Sequence, residues 1–370
     1  MRAALPRRTR TGPRGRQGAC TRPRHPGLRH GRPPDPVPSP GSRTVRHRAL
    51  PRRSNRSGDR PTSPLTLGPC SHATADASVL LDDLADRDRY PHRDEVVAYL
   101  TAYADRSDAE IRTGCRVSAV RRTGAGFEVE LDGGDRLSAR AVVAASGTFG
   151  RPHRPALPGL EEFTGQVLHA ADYRSPAPFT GRRVVVVGAG NSAVQIAVEL
   201  AETARVTLAT RGPVKFVAQR VLGRDLHFWL TRTGLDTAPL GRFLSRPPAQ
   251  PVLDDGRYRA ALAAGQPELR PLFTGAGGTK LVWPDGQREE VDAIVLATGY
   301  RPDLPYLARL DGALDAEGDP RHREGLATNV PGLAFVGLEW QRSLSSNSLR
   351  GVGRDAERIA WRLAAPLARR

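Results

Sequence analysis

Residues Val184 to Val187 run directly into Gly188-Ala189-Gly190-Asn191-Ser192-Ala193, and each small residue at this spacing has a chemical use. Gly188 permits a tight turn, Gly190 lets the backbone approach a pyrophosphate, and Ala193 lets a helix pack closely on its strand. The helix that follows, AVQIAVELA, turns unpaired N–H groups and the positive end of its dipole toward the phosphates. A second apolar run, VTLA at 206–209, completes the strand, turn, helix and strand that a dinucleotide site requires. At the end of that run an Asp or Glu would accept from a ribose 2′-hydroxyl, but Thr210 and Arg211 stand there instead. A guanidinium offers a planar fork suited to a 2′-phosphate, so the pattern points to NADPH rather than NADH. The dinucleotide contacts expected from the motif are Gly188, Gly190, Asn191, Ser192, Ala193, Thr210 and Arg211.

The elements that must position this turn are legible on either side. In YPHRDEVVAYLTAYA, Val96, Val97, Leu100 and Tyr103 recur at helical spacing, which predicts an amphipathic helix of about 13 residues. RVSAV follows, then FEVEL and RLSAR joined by Asp132-Gly133-Gly134, a hairpin signal. A buried run, AVVAAS, ends at Gly147. Beyond a Pro- and Gly-rich middle at 212–278, LVWPDGQREEV predicts a second hairpin and residues 292–297 a buried strand. A strand at 333–336 and a helix at 353–367 close the chain. Strands alternating with helices predict an α/β fold with a parallel sheet.

Composition limits what such a chain can be. The chain has 370 residues and a net charge of +17, but residues 1–70 hold 17 arginines against only Asp35 and Asp59, a net +15. The other 300 residues carry +2, so a folded nucleic-acid-binding domain is not indicated. No apolar run approaches the roughly 18 residues of a membrane span. Cys20, Cys70 and Cys115 are dispersed, which excludes a cysteine metal cage or dithiol chemistry and suits a reducing cytoplasm. No metal site, catalytic triad or carboxylate pair emerges.

Further motifs stand in order around the glycine turn. Phe163-Thr164-Gly165 through His169 to Tyr173 matches FxGxxxHxxxY, and Ala297-Thr298-Gly299-Tyr300-Arg301-Pro302 matches ATGY(R/K)P. Ala145-Ser146-Gly147 is a shorter counterpart, and Pro331-Gly332-Leu333 to Gly337 precedes SNSLRGVGRDA. As a set covering about residues 89–370, these pieces resemble the class B flavoprotein monooxygenases, in particular flavin-containing monooxygenases. The resemblance implies two Rossmann-like dinucleotide-binding domains: an NADPH domain at 155–296, inserted in a partial FAD domain formed by 89–154 and 297–370. It implies FAD and NADPH as cofactors, and oxygenation by O2 of a small N, S or C nucleophile through a peroxyflavin. Thr298 and Gly299 join the NADPH contacts, and Val117, Ser146, Gly147 and Gly337 are the FAD candidates. His169 and Tyr173 are the family-motif candidates for chemistry, with a hinge role implied for His169.

The family pattern also requires a strand, GxGxxG and helix near the N-terminus, with an acidic residue after the next strand, and residues 1–75 show neither. That segment has 13 Pro, 8 Gly and no aromatic residue, which predicts disorder. Strings such as RRTRTGPRGRQG are what GC-rich DNA encodes out of frame, and an out-of-frame stretch is the favoured reading over an RNA-binding arm or transit peptide. Two alternatives to monooxygenation remain: an NADPH-dependent flavin reductase, and a non-catalytic dinucleotide-binding protein with a basic interaction tail. Phe216, Phe228, Trp229 and Phe243 could wall a substrate pocket, though core packing explains them equally well. Substrate and oligomeric state are not legible.

Overall fold

A computed structural model describes residues 91–367 apart from 125, 245 and 246. The expectations for residues 1–75 lie outside the described residues. Helix α1 (Arg93–Asp105) opens where Glu95 accepts from the His92 N–H at 2.6 Å. Its predicted apolar row is present, but Val97, Leu100 and Tyr103 are exposed and no residue of the helix is buried. Three antiparallel strands follow: β1 (Val117–Thr123), β2 (Gly126–Leu131) and β3 (Arg136–Ala139). The predicted hairpin is the β2–β3 pair, and RVSAV supplies β1 to the same sheet. Its turn glycines, Gly133 and Gly134, both have positive φ. Strand β4 (Val142–Ala144) then leaves this meander.

The glycine turn sits in a five-stranded parallel sheet. Its members are β5 (Gln166–His169), β6 (Arg183–Val187), β7 (Arg205–Thr210), β8 (Glu268–Pro271) and β9 (Ala293–Leu296), in the order β8-β7-β6-β9-β5. Helix α2 (Asn191–Ala201) links β6 to β7. The unbroken valine run of β6 is explained by cover on both faces, as in other parallel sheets. Val184 and Val186 pack with Val194, Ala197 and Leu200 of α2. Val185 and Val187 pack with Phe273, Leu281 and Trp283, contributed by the predicted second hairpin and its flank. That hairpin gains a third strand, Gly275–Gly277, which its small residues did not announce. The Pro- and Gly-rich middle holds two short helices, α3 (Leu226–Arg232) and α4 (Arg257–Ala263).

Strand β10 (Leu333–Phe335) pairs in parallel with β4. They form one end of a four-stranded sheet that His322–Arg323 and Leu326–Ala327 complete. Among the described residues β4 has a neighbour on one side only, and its Val143 is 44% exposed. Helix α5 (Leu349–Leu367) begins four residues before the predicted start. Gly351, inside the helix, serves a close approach: a Cβ there would meet the Ser345 Oγ at 2.2 Å.

Candidate functional site

The carboxyl ends of the five-stranded sheet open onto a crevice of about 730 Å3, floored by Gly188 to Ser192 and walled in part by Arg211, Lys215, Gly299 and Glu339. Ligands of open α/β sheets bind at this edge because turns and helix N-termini converge there. Gly188 has φ +146°, and a Cβ on it would lie 2.3 Å from the Ala297 carbonyl oxygen and 3.0 Å from the Ala193 Cβ. The turn is therefore closed by packing. Gly190 differs, for a Cβ there would meet nothing within 4 Å, and its φ of −93° suits any residue. What its missing side chain leaves is room above the start of α2, whose Gly190 cap has no side-chain hydrogen bond. First-turn N–H groups lack intrahelical acceptors, so this end fits a pyrophosphate.

Asn191 uses its side chain elsewhere. Its Nδ2 donates to the Pro251 carbonyl at 3.3 Å and its Oδ1 accepts from the Leu253 N–H at 3.0 Å, fastening the start of the strand Val252–Asp254 beside the turn. Asn191 also lines the crevice. Ser192 lines the crevice, while Ala193 is fully buried against the sheet. Thr210 ends β7 in the interior, and Arg211 follows at the crevice wall. Lys215, four residues on, adds a second cation that the motif did not reveal. Burial above all, and then the charges of Arg301 and Arg211, hold the nearby His153 imidazole below its ordinary 6.5.

His169 is fully buried at the end of β5. Its Nδ1 accepts from the Ala171 N–H at 3.0 Å, which leaves Nε2 protonated to donate to the Gly299 carbonyl at 3.0 Å. That same carbonyl accepts from the His153 N–H at 2.9 Å. Burial holds the imidazole below its ordinary 6.5, and with both nitrogens engaged it locks β5 to the Thr298-Gly299-Tyr300 segment. Thr298 is tied to the His153 carbonyl, and Gly299 takes φ +83°. Tyr173 faces away: its hydroxyl donates to Glu199 of α2 at 2.8 Å and its ring stacks on Phe179. Burial and Glu199 push its phenol well above the ordinary value.

The His169 contact predicts a pH dependence. A histidine titrating lower in the folded than in the unfolded state gives stability that is complete above the ordinary 6.5 and lost as pH falls toward the folded value. His169→Leu is expected to cost about 2 kcal/mol by orphaning the Ala171 N–H. It should also flatten the decline of the thermal midpoint below about pH 6.5. A midpoint-versus-pH profile parallel to wild type would refute the assignment.

The flavin-side candidates gather at a second strand end. Gly147 (φ +67°) follows β4 and Gly337 (φ +84°) follows β10, so close that a Cβ on Gly147 would lie 3.4 Å from the Gly337 carbonyl oxygen. Ser146 Oγ lies 3.2 Å from the Tyr306 hydroxyl, and Val117 packs among the aliphatic residues beneath the meander. The middle-segment aromatics do not wall the crevice above the glycine turn: Phe216 is partly buried against the core, Phe228 and Phe243 are exposed, and the Trp229 indole donates to the Val221 carbonyl. Sequence reasoning missed Thr148, Phe149, Gln250 and Glu339, all of which line it. Among the described residues no group of three or more His, Cys, Asp or Glu could hold a metal, and no helix is long and apolar enough to cross a membrane.

Comparison with known proteins agrees with this fold. Residues 74–228 match the pyridine nucleotide-disulphide oxidoreductase family. An uncharacterized CzcO-like oxidoreductase of Geobacillus kaustophilus is 31% identical over 278 residues, 74% of this chain and 78% of its own length. The indole-3-pyruvate monooxygenase YUCCA1 of Oryza sativa subsp. japonica is 29% identical over 312 residues, 73% of each chain. Among solved structures, a flavin-containing monooxygenase from Stenotrophomonas maltophilia aligns with a TM-score of 0.66 at 30% identity, covering 77% of this chain and 80% of that one. The chain belongs to the class B flavoprotein monooxygenases, the flavin-containing monooxygenase family, whose members use FAD and NADPH.

Proposed function

We propose that the crevice holds NADPH, with its pyrophosphate at the uncapped start of α2 and its 2′-phosphate against Arg211 and Lys215, in an enzyme that oxygenates a small nitrogen, sulfur or carbon nucleophile. The observation that carries this reading is the open space at Gly190, which neither packing nor backbone conformation accounts for. The five-stranded sheet supports residues 155–296 as the NADPH domain. The β4–β10 pair supports 89–154 and 297–370 as part of the flavin domain. Gly147 and Gly337 offer FAD a backbone cradle at the ends of these strands. Among the described residues no second glycine-rich turn stands beside β4 to take its pyrophosphate, so the residues described fit FAD in part.

When bound, the two cofactors supply hydride transfer and the reaction with oxygen. This chain's own residues bind and orient: the α2 N-terminus and Arg211 hold phosphates, and His169 holds the 298–300 segment in register with β5. Dispersed cysteines support a cytoplasmic setting. The test is oxygen consumption by the purified, FAD-supplemented chain with NADPH and a panel of small amines and sulfides. Uptake that rises with substrate and matches oxygenated product is expected. NADPH oxidation without substrate-dependent uptake would identify a reductase instead.

A further inference from the structure

Glu339 stands in the crevice wall two residues beyond Gly337 and is the single acidic residue lining it among the described residues. Its backbone N–H donates to Thr148 Oγ1 at 2.9 Å, which pins it beside the end of β4. Its carboxylate accepts from the Gln250 side-chain amide at 2.7 Å, and among the described residues no cation lies within ion-pair distance of it. Burial raises its carboxyl above the ordinary carboxylate range, opposed only by the Gln250 bond. A half-buried acid facing a cavity without a counter-charge is costly, and such groups mark binding sites. The phosphates expected at Arg211 and Lys215 cannot relieve it, since their charge has the wrong sign.

The surroundings specify what could. Phe149 is 62% exposed and meets the Tyr300 ring edge-on at 5.7 Å, and both line the same crevice. Aromatic rings lining the same crevice as a carboxylate without a counter-cation suit an organic cation. We propose that Glu339 is the charge-selecting residue of the crevice, recognising a protonated nitrogen on the small substrate and turning away molecules that carry a carboxylate. The nitrogen is a binding handle, and Gln250 positions the carboxylate that receives it. The inference rests on the monooxygenase reading only for the purpose of the crevice.

Titration calorimetry of the full chain at pH 7 tests this with three probes of similar shape: N,N-dimethylbenzylamine, benzyl methyl ether and benzoate. The wild type is expected to bind the amine about tenfold more tightly than the ether, with benzoate weakest. Glu339→Gln, whose amide oxygen can still accept from Gln250, should bring the amine down to the ether and leave the ether unchanged. Gln250→Ala should retain the order of the probes. An absence of preference in the wild type, or a Glu339→Gln loss shared by the ether, would overturn the assignment. So would weakened NADPH binding with an unaltered probe order, which would place the carboxylate on the nicotinamide. The probe titrations need neither NADPH nor turnover, so their failure is separable from failure of the oxygen-uptake assay.

Discussion

Gly190→Val is expected to weaken NADPH binding by about a hundredfold or more while leaving the thermal midpoint unchanged. Two lost charge-assisted contacts to a pyrophosphate are worth about 3 kcal/mol, which sets that magnitude. The fold has no need of glycine at this position, because a side chain would enter open space and the backbone is extended. Gly188→Ala provides the contrast. Its Cβ would sit 2.3 Å from the Ala297 carbonyl in a residue at φ +146°, so the midpoint itself should fall, by a destabilisation of about 3 kcal/mol. Thermal unfolding and fluorescence titration with NADPH separate the two effects. If Gly190→Val binds NADPH like wild type, the crevice is not the dinucleotide site.

Arg211→Glu is expected to lower the NADPH-over-NADH preference by about a hundredfold, almost wholly through loss of NADPH. Removing a guanidinium partner of a phosphate and placing a carboxylate there reverses the sign of the local interaction, and a carboxylate is what an NADH site uses on the ribose. Arg211 follows the buried Thr210 at the crevice wall, so the exchange should leave folding intact. Lys215 supplies residual attraction, and Lys215→Ala should cause a smaller loss in the same direction. Dissociation constants for both nucleotides decide the matter, and an unaltered ratio in Arg211→Glu would remove the 2′-phosphate assignment.

The parts of this protein that were legible in the sequence are those whose cause is local. The β6–α2–β7 unit follows from a valine run, three small residues at fixed offsets and an apolar helical face, all within about 30 residues. Arg211 was placed by its offset along the chain from the same turn. The start of α5 shows the limit of such reading: the pattern predicts 353, but the helix begins at Leu349, and Gly351 inside it lies close against Ser345. Gly275–Gly277 is likewise a strand because Lys280–Val282 pairs with it, with no propensity of its own.

The crevice itself came only from tertiary structure. Glu339 meets Gln250 across 89 residues of chain and Thr148 across 191, and His169 reaches Gly299 across 130. From the sequence alone came the expectation of a dinucleotide-binding turn at Gly188 to Ala193 and of a 2′-phosphate at Arg211. It could not determine that His169 is a neutral lock, that the Asn191 side chain is already engaged, or that an unpaired acid shares a cavity with two aromatic rings. Periodicity and turn sterics act over a few residues, whereas these contacts exist only once separate strand ends are packed against one another.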